Sequence, residues 1–232
     1  MEEGCTPSVA VELSGYYFRS TKPTRLAEYF LPHCKCAITV GQDNNSDISS
    51  TFLGLLADRR VGNPFSSVYS IKPRRTLYGG AAKIHFDIGS WLGDWCSWFA
   101  HSWLSVFVPV VHVKHEMRPC ETLVNGSGVG AYTGGRNATC AFQQPSWNFG
   151  KISSCTLKRT GVDDINIKLG VGVWTCEENK LDVYGVVFVP TGNRTRSHAN
   201  FLFEPVIGAG HVGLGGGINF DYTVWQCYQD FL

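Results

Sequence analysis

Gly208-Ala-Gly-His-Val-Gly213 fits the dinucleotide-loop pattern G-x-G-x-x-G, and the chemistry it would supply is pyrophosphate binding. Such a loop must open a helix, because the pyrophosphate sits on the helix N-terminus. The residues after it alternate instead. Val212, Leu214, Gly216, Ile218, Phe220, Tyr222 and Val224 share one parity, and His211, Gly213, Gly215, Gly217, Asn219, Asp221 and Thr223 share the other. Five glycines between positions 208 and 216 would each cost a helix about 1 kcal/mol. A strand, or a tight bend entering one, is the expected structure.

The other reactive-looking groups are weaker. His112-Val-Lys-His115-Glu116 has the composition of a metalloprotease helix but not its order, and on a strand residues three apart face opposite ways. Cys34 and Cys36 of His33-Cys-Lys-Cys36 would share a strand face, yet no second pair at zinc-finger spacing accompanies them. Asp163 and Asp164 are adjacent, so on a regular strand they cannot both face one site. Pro190-Thr-Gly-Asn193 lacks the lysine of a phosphate loop, and no G-x-S-x-G occurs. The sequence therefore nominates no catalytic residue, no metal site and no cofactor, and an enzyme is the least supported class.

The elements that would position a site are strands. Ile165, Ile167, Leu169, Val171 and Val173 alternate with Asp164, Asn166, Lys168, Gly170 and Gly172, and Leu181–Val189 comes after a polar turn as a hairpin partner. Ile84, Phe86 and Ile88 interleave with Lys83, His85 and Asp87, and Val9, Val11 and Leu13 with Ala10, Glu12 and Ser14. Further strands are expected at Cys34–Val40, Phe65–Ile71, Ser102–Lys114 and Phe201–Ile207. This gives an all-β, antiparallel fold of about 8–10 strands. Residues 1–232 read as a single domain, with one long loop region at about 116–160. Ser49–Leu56 could add one or two helical turns, and Cys140-Ala-Phe-Gln-Gln-Pro145 another.

Composition agrees with strands and turns. The 232 residues are 44% hydrophobic, 13% aromatic and rich in glycine (26), while only 17% are charged, against roughly 25% in ordinary soluble domains. A net charge of +1 gives no reason to expect a nucleic-acid partner. Nine cysteines favour an oxidising location, and their odd number leaves at least one unpaired within the chain. Cys120, Cys140 and Cys155 are the disulfide candidates. Sequons stand at Asn44, Asn125, Asn137 and Asn193. The most apolar run, Trp103–Val111, is too short for a spanning helix and contains a proline, although a spanning strand needs only about 9–11 residues.

A glycine-rich face opposite large apolar residues suits a curved sheet whose inner wall is crowded or polar and whose outer wall lies in lipid. Asp164, Asn166, Lys168, Asn219 and Asp221 then form one candidate lumen wall, joined by Lys83, His85 and Asp87. Its mixed charge argues against strong selectivity for either sign of ion. Trp91, Trp95, Trp98 and Trp103 are either an interfacial aromatic girdle or aromatics packed in a soluble fold.

Several runs carry a resemblance: Gly161-Val-Asp-Asp-Ile165, Lys168-Leu-Gly170, Val189-Pro-Thr-Gly-Asn193, Leu202-Phe-Glu-Pro-Val-Ile-Gly208, His211 and Gly215-Gly-Gly217. Together with Phe65–Pro73, Tyr78-Gly-Gly80 and Phe107–Lys114 they resemble poorly characterised bacterial outer-membrane β-barrel proteins of porin or transporter type. The resemblance implies an up-and-down transmembrane barrel, a partner bilayer, small solutes and no catalytic residues. Met1-Glu-Glu-Gly-Cys5 has no features of a signal peptide, so the chain reads as a barrel fragment or as one whose leader is removed. The alternative is a secreted, disulfide-held β-sandwich or small barrel that binds a partner or small ligand.

Overall fold

The computed structural model describes residues 9–56, 64–89, 100–125, 129–130, 137–175, 179–192 and 200–222. Its strands are β1 (Val9–Arg19), β2 (Ala37–Gly41), β3 (Ile48–Ser49), β4 (Leu55–Leu56), β5 (Ser66–Ser70), β6 (Arg74–Asp87), β7 (Ser102–Glu116), β8 (Cys120–Asn125), β9 (Val129–Gly130), β10 (Leu157–Val162), β11 (Ile165–Thr175), β12 (Asn179–Val189) and β13 (Gly213–Tyr222). The protein is mostly β and, apart from the short parallel β2–β3 contact, its pairings are antiparallel.

The long strands form one meander in the order β1-β6-β7-β11-β12-β13. Period-two alternation dictates these elements, because each strand must present one set of side chains to each face. Among the described residues the meander is open, with β1 and β13 at its edges.

β10 extends the line of β11 along the same edge of β7. The interruption falls opposite Pro109, which has no N–H to give the ladder. Asp163 N–H donates to Pro109 O at 2.9 Å, and the chain bulges through Asp163 and Asp164 before β11 resumes.

The chain between β1 and β6, with that between β7 and β10, builds a second and smaller body: the sheet β3-β2-β5-β8 and the two-strand pair β4-β9. Here the apolar side chains are enclosed. Ile38, Val40, Leu53, Leu55, Phe65, Tyr69 and Ile71 pack with Met117, Phe142 and Ile152, all buried. Each such large side chain contributes about 1.5–3 kcal/mol by leaving water. Parity in β5 selects Ser67 and Tyr69 for the interior and leaves Val68 half-exposed.

A one-turn helix, Ala138–Ala141, closes that core. It is held by two caps. Asn137 Oδ1 accepts from Cys140 N–H at 2.9 Å, and the Glu121 carboxylate on β8 accepts from Ala138 N–H at 2.8 Å and Thr139 N–H at 2.9 Å. Burial foremost, and then the Glu121 charge, pushes the Tyr69 phenol above its ordinary pKa.

Three expectations change. Phe201–Ile207 is not a strand, since only Phe201 makes a bridge, to Lys151. Its apolar residues serve as anchors. Phe203 stacks on His115 with ring centroids 3.9 Å apart and lies 4.9 Å from Phe30, while Ile207 packs on Val111 and Val113. The segment thus ties the small body to one face of the meander. Residues 116–160 are no simple loop either, because they contain β8, β9, the capped turn and most of β10. Ser49–Leu56 makes a hydrogen-bonded turn between β3 and β4, not a helix, with Leu53 and Leu55 in the small core.

Candidate functional site

The register of the meander sorts every side chain on it to one of two faces. On one face, Lys83 pairs across to Phe107 and then Asn166, and the next row runs His85, Ser105, Lys168, Val186. The row after it holds Asp87, Trp103, Gly170, Tyr184 and Gly217, and beyond them lie Gly172, Asp182 and Asn219. Lys180 and Asp221 end the set. Seven of the candidate wall residues, Lys83, His85, Asp87, Asn166, Lys168, Asn219 and Asp221, therefore share one face, and it is the polar one. Asp164 sits in the bulge beside it. Its Oδ2 accepts from Ala209 N–H at 2.6 Å, and its buried Oδ1 has no partner among the described residues.

The glycines of this face are seats for aromatic rings. A side chain at Gly170 would run into the Trp103 indole, and a Cβ at Gly217 would stand 2.6 Å from the Tyr184 hydroxyl. Large rings laid over glycine on the neighbouring strand restore the packing that glycine lacks. Trp103 is consequently only 6% exposed, with ring centroids 5.4 Å from His85 and 6.0 Å from Tyr184. It lies on the polar face rather than on the apolar one where a girdle would stand. Trp91, Trp95 and Trp98 lie outside the described residues.

The opposite face is apolar and open. Leu13 and Leu214 are each 80% exposed, Ile218 69% and Leu169 55%. Exposed aromatics fall toward its ends: Tyr17 and its cross-strand partner Tyr78 at one, and Trp174, Phe220 and Tyr222 at the other. Only the pairing gathers these aromatics, because Tyr17, Tyr78 and Trp174 stand on three different strands and Phe220 with Tyr222 on a fourth.

Two cavities adjoin on the polar face, sharing Phe107 and Asn166. One, of about 520 Å³, is lined by Tyr16, Phe18 and Pro109 together with both Asp163 and Asp164. The bulge is what lets adjacent aspartates line one space. The other, of about 270 Å³, is lined by Lys83, Ser105, Phe107, Asn166 and Lys168. A larger cleft of about 600 Å³ lies in the small body between residues 51–54 and 144–147, and no charged side chain lines it.

The remaining candidates are dispersed. Cys120, Cys140 and Cys155 are exposed free thiols, as are Cys34 and Cys36, so the expected bridges are not formed among the described residues. His112 and His115 point to opposite faces, the first bonded to Thr160 Oγ1 at 2.6 Å and the second stacked on Phe203. No group of three or more metal-ligating side chains comes together among the described residues. Gly208 and Gly210 adopt φ of +80° and +75°, which makes the segment from 208 a tight bend leading into β13. No described helix is long and apolar enough to cross a membrane, a criterion that says nothing of strands.

No protein-family model, curated protein or solved structure matches the chain.

Proposed function

We propose that the chain is an outer-membrane β-barrel protein that serves as a passive pore, a transport channel or a structural surface protein. One observation carries the reading: the meander has six antiparallel strands of 10 to 15 residues, and its register sets an apolar face, most exposed on β1, β11, β12 and β13, against a face that gathers Lys83, His85, Asp87, Asn166, Lys168, Asp182, Asn219 and Asp221. Soluble monomers rarely leave so continuous an apolar surface uncovered, whereas lipid requires it. The strands are long enough to cross a bilayer, for which about 9–11 residues suffice.

Strand parity supports closure. With six strands in the meander, β1 and β13 run in opposite directions, so joining them directly or through an even number of further strands keeps every pairing antiparallel. Tyr17, Tyr78, Trp174, Phe220 and Tyr222 would then occupy the two interfaces, where amphipathic rings meet both lipid and headgroups. The polar face, with Lys83, His85, Asp87, Asn166 and Lys168, would line the lumen.

The secreted alternative draws on the enclosed apolar core of the small body. The five cysteines among the described residues are unpaired, which supports the barrel over a sandwich held by disulfides. Expression behind a supplied signal peptide tests the choice. Residence in the outer membrane, with a heat-dependent shift on unheated gels, is expected; a soluble, disulfide-bonded product would sink the barrel reading.

A further inference from the structure

We propose that the cavity between Lys83 and Lys168 binds a small oxyanion, a carboxylate or a phosphate group. The inference deepens the pore reading, on which it rests for its biological setting. It names the class of solute that the polar face would retain.

The cavity has the chemistry of an anion site. Lys83 on β6 and Lys168 on β11 stand on either side of β7, two strand spacings or about 10 Å apart laterally. Their long side chains line one space of about 270 Å³ together with Ser105, Phe107 and Asn166. No carboxylate of the described residues lines it. Ser105, only 3% exposed, supplies a hydroxyl at the floor. The Asn166 amide has a buried oxygen without a partner, and turning that amide about puts its N–H donors at the same place on the wall. Phe107 gives the remaining wall an apolar surface for the body of a solute.

Neither lysine is already neutralised within the cavity. Lys83 Nζ reaches Glu12 at 3.4 Å, but both partners are well exposed, and such a bridge contributes little. Lys168 Nζ sits 4.7 Å from the centre of the Tyr184 ring, which orients the ammonium without cancelling its charge. Of the other acids of the face, Asp182 pairs with Lys180 at 3.3 Å, Asp87 accepts from Gly89 N–H at 3.1 Å, and Asp163 and Asp164 line the adjoining cavity rather than this one. The face as a whole carries mixed charge, yet this part of it is cationic. An oxyanion would take charge-assisted hydrogen bonds from both ammonium groups, the strong kind.

The test uses the full chain refolded in detergent micelles, titrated with inorganic phosphate and monitored by phosphorus NMR line width, with succinate as a competing carboxylate. Saturable phosphate binding is expected, weakened about tenfold or more by Lys83→Met or Lys168→Met, which is what loss of one charged hydrogen bond removes. Glu12→Gln should tighten it, and Lys180→Met, outside the cavity, should leave it unchanged. Circular dichroism on each variant guards against loss of fold. Displacement by succinate would assign the site to oxyanions in general, and failure to displace would narrow it to phosphate.

No saturable binding of either anion, or binding indifferent to both lysine substitutions in folded protein, overturns the proposal. Planar-bilayer conductance separates this from the pore reading. Lysine-dependent binding without conductance would retain the site and reject the pore. Conductance whose anion preference ignores both lysines, with no lysine-dependent binding, would retain the pore and reject the site.

Discussion

The two larger sheets among the described residues solve the placement of apolar residues in opposite ways. In the small sheet β3-β2-β5-β8, one face covers a core of Ile38, Val40, Phe65, Tyr69 and Ile71, and the short helices and turns complete the enclosure. In the meander, most apolar residues of β1, β11, β12 and β13 are on the exposed face, and the opposite face carries lysines, aspartates and glycines beside Trp103, Phe107 and Val186. A sheet stabilised by water needs its apolar face covered by protein, and a sheet stabilised by lipid does not. The same alternation therefore has two meanings here, and which one applies depends on what stands over the face.

Substitutions can break or sharpen that contrast. The largest effect is expected from Phe65→Ala. Phe65 is fully buried in the small core, so its truncation should cost about 3–5 kcal/mol, read as a lowered denaturation midpoint of the small body. An exposed apolar residue of the meander, such as Ile218→Ala, should change the same midpoint little; equal effects would abolish the distinction.

Next comes Leu169→Arg. Placed on the apolar face, it should impair assembly into bilayers by about 2–4 kcal/mol, while Lys168→Ala on the other face is tolerated. Vesicle-folding titrations check this, and reversed effects would exchange the faces. Gly170→Ala should cost about 1–3 kcal/mol, because the Trp103 ring occupies the space of the added methyl. A shift of Trp103 fluorescence, seen against a background with the other tryptophans replaced, would report that movement.

The smallest effect is a pH dependence confined to the small body. The Lys35 ammonium, then the Thr39 N–H, hold the Asp47 carboxyl down at about 2, below its ordinary value of 3.8. A depressed carboxylate pKa stabilises the fold above the unfolded value, and that contribution fades as pH falls from near 4 through 2. Asp47→Asn should flatten this part of the acid-unfolding curve. An unchanged curve would show that the Lys35 and Thr39 contacts do not form in solution.

Much of the meander was legible because period two is local. β1, β11, β13 and the last part of β6 arise from apolar residues recurring every second position, and so do the shared faces of Lys83 with His85 and of Asn166 with Lys168, while β7 is apolar on both parities and β12 alternates less strictly. The failures share a cause. Phe201–Ile207 has strand composition but no strand partner, and its phenylalanine and isoleucine find His115, Val111 and Val113 instead. β8 and β10 lie among glycines, serines and cysteines and become strands only because β5 and β7 offer them an edge.

The candidate site shows the same division. Alternation by itself determined that this chain makes long antiparallel strands with one polar and one apolar side, since side-chain direction along a strand is fixed by the backbone. Only the tertiary structure decided which strands became neighbours. β6 and β11 come to flank β7 although Lys83 and Lys168 are far apart in the chain, and Pro109 across the ladder turns Asp163 and Asp164 into a bulge. Glycine at 170 leaves the seat into which Trp103 folds inward. Register is a relation between strands, set by hydrogen bonding and packing over the whole sheet, and no single strand contains it.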